Sequence, residues 1–274
     1  MSTIPAIAAT LTRDVEESPG LRGSRCSLSD PAAVAELAAL LAEAVVESRC
    51  GANARLVELW RARAQGDGGP HSGRDRVLLE DHLLQNFGPP EDPAPLEHLE
   101  GAVFEHLWYA LTVEHDGHLG LPIHVPRPSW SVTDPGLDGL AIYLVAGQLV
   151  FRLWELKRHA ADSAVRQTVS AACRQVRMRA GKYLARYAAV EQRVSDDLAE
   201  LVAKLPELWA DDDGTSGTGI AVGISTGADT ADCLEPISQQ FPSFTIDQLE
   251  GLIAELPDFS AFAELVREEL WKGL

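Results

Sequence analysis

Asp138, Glu155 and Lys157 are the residues of this chain whose types and spacing could do chemistry together. Two carboxylates are hard oxygen ligands of the kind Mg²⁺ takes while keeping several of its waters. A metal held there lowers the pKa of a bound water and shields the charge that builds on a phosphoryl group during displacement. A lysine beside it can hold or polarise the attacking water, or stabilise the oxyanion.

Residues seventeen apart meet only if the chain turns back between them. Leu140 to Val145 and Leu149 to Trp154 are two strand-length apolar runs, and Ala146-Gly147-Gln148 lies between. That pattern predicts a β-hairpin. Antiparallel pairing makes the start of one strand a neighbour of the end of the next, so Asp138 should meet Glu155. Period-two alternation puts Glu155 and Lys157 on one face and Trp154 on the other, as core packing. A surface hairpin with charged ends is the plainer alternative.

The set Asp138…Glu155-Leu156-Lys157 resembles the signature of the PD-(D/E)XK, or restriction-endonuclease-like, nuclease superfamily. The resemblance implies an α/β core of helix, three strands, helix and strand, with Mg²⁺ (or Mn²⁺) on Asp138 and Glu155. It also implies cleavage of DNA. The chain supplies a candidate for each piece. Apolar residues at spacings of three and four predict a helix from Pro95 to His115. Leu121-Pro-Ile-His-Val-Pro is the candidate first, edge-like strand, where proline is tolerated. A helix is predicted from about Asp162 to beyond Tyr187, and Gly219–Ser225 reads as a further strand.

The upstream helix contains Gly101-Ala-Val-Phe-Glu105-His-Leu107, similar to the first-helix motif in which a glutamate reaches the metal. Glu105 falls roughly opposite the Leu96/Val103/Leu107 stripe, whereas Glu100 falls within it, so both stay open. On the downstream helix Val165, Val169, Val176, Tyr183 and Tyr187 form a core-facing stripe. Gln175, Arg179, Lys182 and Arg186 flank it, similar to an auxiliary motif that positions the substrate strand. Residues 150–190 hold nine Lys/Arg and two acids, a net +7 in a chain of −18. Phosphate backbones need such a strip even on an acidic protein; a salt-bridged, solvated helix face is the plain alternative.

The rest of the chain bounds the reading. A composition of 46% hydrophobic and 23% charged residues is that of a globular protein. No run is long enough for a membrane span and no signal peptide opens the chain, so a cytoplasmic protein is expected. Cys26, Cys50, Cys173 and Cys233 are scattered, which suggests reduced thiols. His115 and His118 lack a convincing third zinc ligand. Three parts are expected: a mostly helical lobe over 1–94, the nuclease core over 95–228, and C-terminal helices over 229–274. The last begin at Thr245, with Leu249, Leu252, Ile253 and Leu256 on the first helix.

The layout is also similar to the nuclease subunit of Hachiman-type anti-phage defence systems, which implies a bacterial defence effector. A net charge of −18 repels DNA at long range. A protein partner such as a helicase or sensor subunit, or homo-oligomerisation, is therefore expected. Two alternatives remain open: a catalytically silent scaffold or interaction subunit of the same fold, and an acidic interaction protein with an accidental motif.

Overall fold

The computed structural model describes residues 3–16, 18–28, 30–51, 53–128, 138–160, 163–190, 196–211 and 214–274. The fold is mixed α/β, built on a six-stranded sheet of order β1-β2-β6-β5-β4-β3. The strands are β1 (Thr12–Glu16), β2 (Arg22–Ser27), β3 (Gly139–Val145), β4 (Gln148–Arg158), β5 (Thr218–Ser225) and β6 (Leu249–Leu256). Strands β2, β6, β5 and β4 run parallel, and β1 and β3 close the two edges antiparallel. A parallel sheet must be covered on both faces, and here it is. One face carries α1 (Ile4–Thr10), α2 (Val34–Cys50), α3 (Ala54–Ala64), α4 (Gly73–Leu83), α5 (Leu96–Val113) and α9 (Phe259–Lys272). The other carries α6 (Val165–Val190), α7 (Asp196–Asp211) and α8 (Glu235–Gln240).

The β3–β4 hairpin forms as the sequence predicts. Ala146 and Gly147 both take positive φ, 50° and 84°. That is what a two-residue type I′ turn requires, and its twist matches the flanking strands. Two tryptophans brace the hairpin from the α5 side, Trp108 and Trp154, with ring centroids 5.8 Å apart. Gly139 makes room for them: a Cβ there would stand 2.3 Å from the Trp108 ring.

Three expectations need correction. Leu121–Pro126 is not a strand but a single bridge, His124 to Ile142 on the β3 edge. Pro122 and Pro126 have no N–H to extend a ladder. Leu249–Leu256 is not a helix but β6, between β2 and β5. A strand buried on both faces is apolar almost throughout, so its leucines also fit helical spacing. Thr245 and Gln248 form a capping box, but it caps only a 3₁₀ turn over Ile246–Gln248. Residues 1–94 are not solely helical: β1 and β2 join the sheet through β6. These two strands are polar and show no apolar alternation. Arg25 ties them across the sheet, 2.8 Å from Glu16 and 2.7 Å from Glu255. Helix α2 packs on α5 and α9, so the first 94 residues share the core with the rest.

Smaller expectations hold. All four cysteines are buried and free. The predicted helix start at Asp162 lies outside the described residues. Among the described residues no helix is long and apolar enough to cross a membrane.

Candidate active site

The hairpin register places the first pair of acids. Gly139 stands across from Trp154, so Asp138 comes one step earlier, opposite Glu155. Asp138 is stitched to β4 twice. Its N–H donates to Trp154 O at 3.1 Å, and its Oδ2 accepts from the Leu156 N–H at 2.7 Å. Glu155 is completely buried, and Lys157 Nζ lies 2.5 Å from its Oε1. Glu155 Oε2 has no hydrogen-bond donor. Trp154 turns to the opposite face, against α5.

Helix α5 resolves the two glutamates. It is buried almost all round, so the side opposite its apolar stripe is interior as well. Glu100 is spent on structure: Oε2 is 3.2 Å from Arg158 Nε and Oε1 accepts from Ser260 Oγ. Glu105, 8% exposed, belongs electrostatically to the hairpin acids. Burial pushes its pKa up to about 8; the Asp138 and Glu155 carboxylates raise it further, while Arg49 and Lys157 oppose the rise. Glu155 is also pushed up to about 8, by burial first and then by Asp138, against the pull of Lys157 and Arg179. Burial raises Asp138 too, with Lys157 and the Leu156 N–H opposing. Glu155 and Glu105 are buried and Asp138 is half-buried; the three carboxylates lie within electrostatic reach of one another, and Lys157 pairs with Glu155.

On α6, Gln175 is half-buried and Arg179, Lys182 and Arg186 are exposed. Arg179 reaches the acids, since its charge lowers the pKa of both Asp138 and Glu155. Other cations of the basic segment have structural work and leave the strip. Arg152 is buried against Glu250 and Asp247 O, Arg158 holds Glu100, and Arg166 pairs with Glu235 at 2.6 Å. Arg177, Arg179 and Lys182 have no ion pair to another described residue. The exposed positive face is therefore narrower than the composition suggests and confined to α6.

Two neighbours of the site carry no sequence signal. Arg49, on α2, is 4% exposed, lies over the Phe87 ring at 5.1 Å, and acts on Glu105 from behind. Nothing in the sequence joins it to a residue more than fifty positions away. Tyr183 fits the core stripe by spacing, yet it is only half-buried and feels Asp138 and Glu105.

Asp138 and Glu155 could hold a divalent cation. The donor set is hard oxygen, and a buried carboxylate oxygen without a donor is a ligand position awaiting a cation. Among the described residues no group of three or more His, Cys, Asp and Glu side chains is poised to cage an ion. His115 and His118 form no such group either; His118 Nε2 lies 3.3 Å from Asp247 O.

Comparison with protein-family models finds no match to this chain, and no curated protein matches it significantly.

Proposed function

We propose that this chain is a metal-dependent DNA nuclease of the PD-(D/E)XK kind, with α5, β3, β4, α6 and β5 as its catalytic core. The observation that carries the reading is the cluster itself. Asp138 and Glu155 stand opposite each other across the hairpin, the buried Glu105 interacts electrostatically with both, and Lys157 lies 2.5 Å from Glu155. Such a cluster costs stability, because buried like charges repel and must share protons. Strongly shifted carboxylates beside a lysine are the mark of a working site.

The residues divide the work by position. Asp138 and Glu155 would hold Mg²⁺ (or Mn²⁺), which supplies a nucleophilic water at neutral pH and charge neutralisation at phosphorus. Lys157, one-third exposed, can donate to the attacking water or to a non-bridging phosphate oxygen. Glu105 is placed to accept a proton from that water, since its pKa of about 8 suits a general base near neutrality. Arg179, Lys182 and Arg186 would track the phosphate backbone, and Gln175 would orient the strand entering the site. The net charge of −18 opposes DNA at long range. For that reason the nuclease is read as delivered or gated by a helicase-like or sensor partner, or by oligomerisation, and its similarity in layout to Hachiman-type nuclease subunits supports a role as an effector of bacterial anti-phage defence.

A plasmid-nicking assay in Mg²⁺ with wild type and Lys157→Ala tests the reading. Metal-dependent nicking that disappears in the variant is the expected result. Nicking retained by Lys157→Ala would overturn the site assignment. Strong, unspecific cleavage by the purified monomer at ordinary salt would overturn the need for a partner.

A further inference from the structure

Two tyrosines on α6 take no part in the hydrolysis just described. Tyr183 and Tyr187 are one helical turn apart and stack, with ring centroids 6.3 Å apart and planes at 23°. Ala180 and Leu184, at most 1% exposed, sit inside the core under the sheet, while both tyrosines pack at its margin and stay half-buried. The pair is held in place. The Tyr187 hydroxyl lies 3.1 Å from His124 Nε2, and His124 is pinned to β3 by its bridge to Ile142. Tyr183 also stands beside the acids, since Asp138 and Glu105 join burial in raising its hydroxyl pKa. The exposed Lys182 and Arg186 flank the rings, and Arg179 lies one turn before them.

We infer that the Tyr183–Tyr187 pair is a base-stacking platform, and that the substrate is single-stranded DNA or the unpaired end of a duplex. The inference rests on the nuclease reading and names its substrate class. In a closed duplex both faces of an internal base are covered by its neighbours, so a side-chain ring gains nothing from it. Sites for single strands combine a basic track for phosphates with aromatic rings for bases. Along α6 the order Arg179, Lys182, Tyr183, Arg186, Tyr187 is that combination, beginning at the carboxylate cluster. A phosphate at Asp138 and Glu155 would put the adjoining base over the tyrosines and the next phosphates along Lys182 and Arg186. Tyr187 is tethered through His124 and Tyr183 stacks on it, so little freedom is lost when a base settles on the pair.

Fluorescence anisotropy in EDTA, with a labelled oligodeoxythymidylate and a blunt hairpin duplex of equal length, reads the platform directly. Wild type should prefer the single strand. The double variant Tyr183→Leu, Tyr187→Leu should lose about five- to hundredfold in single-strand affinity and little in duplex affinity. Replacing both tyrosines by Phe keeps the rings and should preserve single-strand binding, which separates stacking from any effect on folding. Equal wild-type affinity for the two DNAs overturns the inference, as does wild-type single-strand binding by a Leu double variant that melts normally. Cleavage assays with Mn²⁺ separate this inference from the nuclease reading. Cutting of the blunt duplex alone keeps the nuclease and overturns the platform. Tyrosine-dependent single-strand binding without any cleavage supports the platform and overturns the nuclease.

Discussion

Strand β4 carries two buried charge clusters that are built in opposite ways. Toward its start, Arg152 is 2% exposed, and both its terminal nitrogens donate hydrogen bonds while Nε faces a carboxylate. Nη1 donates to Phe151 O at 2.8 Å, Nη2 to Asp247 O at 2.6 Å, and Nε faces Glu250 at 3.7 Å. Three residues on, Glu155 is more deeply buried, yet Oε2 has no donor and two further carboxylates press on the same space. The first cluster balances its charge and ties β4 to β6 and to the 3₁₀ turn before it. The second accumulates negative charge that only a proton or a bound cation relieves. The balance of charge, not burial, separates a structural ion pair from a candidate site.

The largest expected effects break the second cluster. Asp138→Ala, Glu155→Ala and Lys157→Ala should each lower metal-dependent cleavage by a factor on the order of 10² or more, as loss of a key electrostatic group does. Glu155→Gln should leave stability unchanged or raise it, because repulsion is relieved. A large loss of stability in Glu155→Gln, seen by urea unfolding, would place Glu155 with the structural cluster instead.

Breaking the first cluster should do the reverse. Arg152→Met leaves Glu250 buried without its main counter-charge, at a cost of about 3–5 kcal/mol. The fraction that folds should cleave as wild type does. A stable Arg152→Met protein, or a folded one that is inactive, would erase the contrast between the clusters.

Acidity sharpens the comparison further. Glu105 and Glu155 have folded pKa values of about 8, above the ordinary 4.5. Between those values the folded state binds more protons than the unfolded chain, so metal-free stability should fall as pH rises from about 4.5 to about 8. Urea titrations at stepped pH should show this slope in wild type and a shallower one in Glu155→Gln. Parallel slopes would show that Glu155 does not titrate in that window.

The smallest effect concerns the exposed face of α6. Charge reversal of Arg179 and Lys182 should weaken DNA binding and reduce its salt slope by roughly 1–2. Stability should change by less than about 0.5 kcal/mol, as is usual for exposed sites. Val169 and Val176, fully buried, carry the packing. Unchanged salt dependence would show that DNA runs elsewhere.

The hairpin and its register were legible because local rules decide them. Ala146-Gly147 supplies the turn, the apolar runs supply the strands, and antiparallel geometry then makes Asp138 a neighbour of Glu155. Strands β1, β2 and β6 were not legible. The first two carry too little apolar pattern, and β6 carries apolar residues on both faces, which fits either period. The same limit applies to charge. Nine cations between 150 and 190 look alike in sequence, but their partners come from remote segments. Glu250 meets Arg152, Glu100 meets Arg158 and Glu235 meets Arg166 only after folding.

What the sequence determined alone is therefore the hairpin, its acid–acid–lysine set and the helices before and after it, all consequences of short-range periodicity and turn chemistry. Tertiary structure tied Glu100 to Arg158 and Ser260, left Arg49 and Tyr183 within electrostatic reach of Glu105, and drew strands from both ends of the chain into the central sheet. Those outcomes depend on which buried charges find partners and which strands find neighbours. Both are contacts between residues far apart in sequence, and no local pattern encodes them.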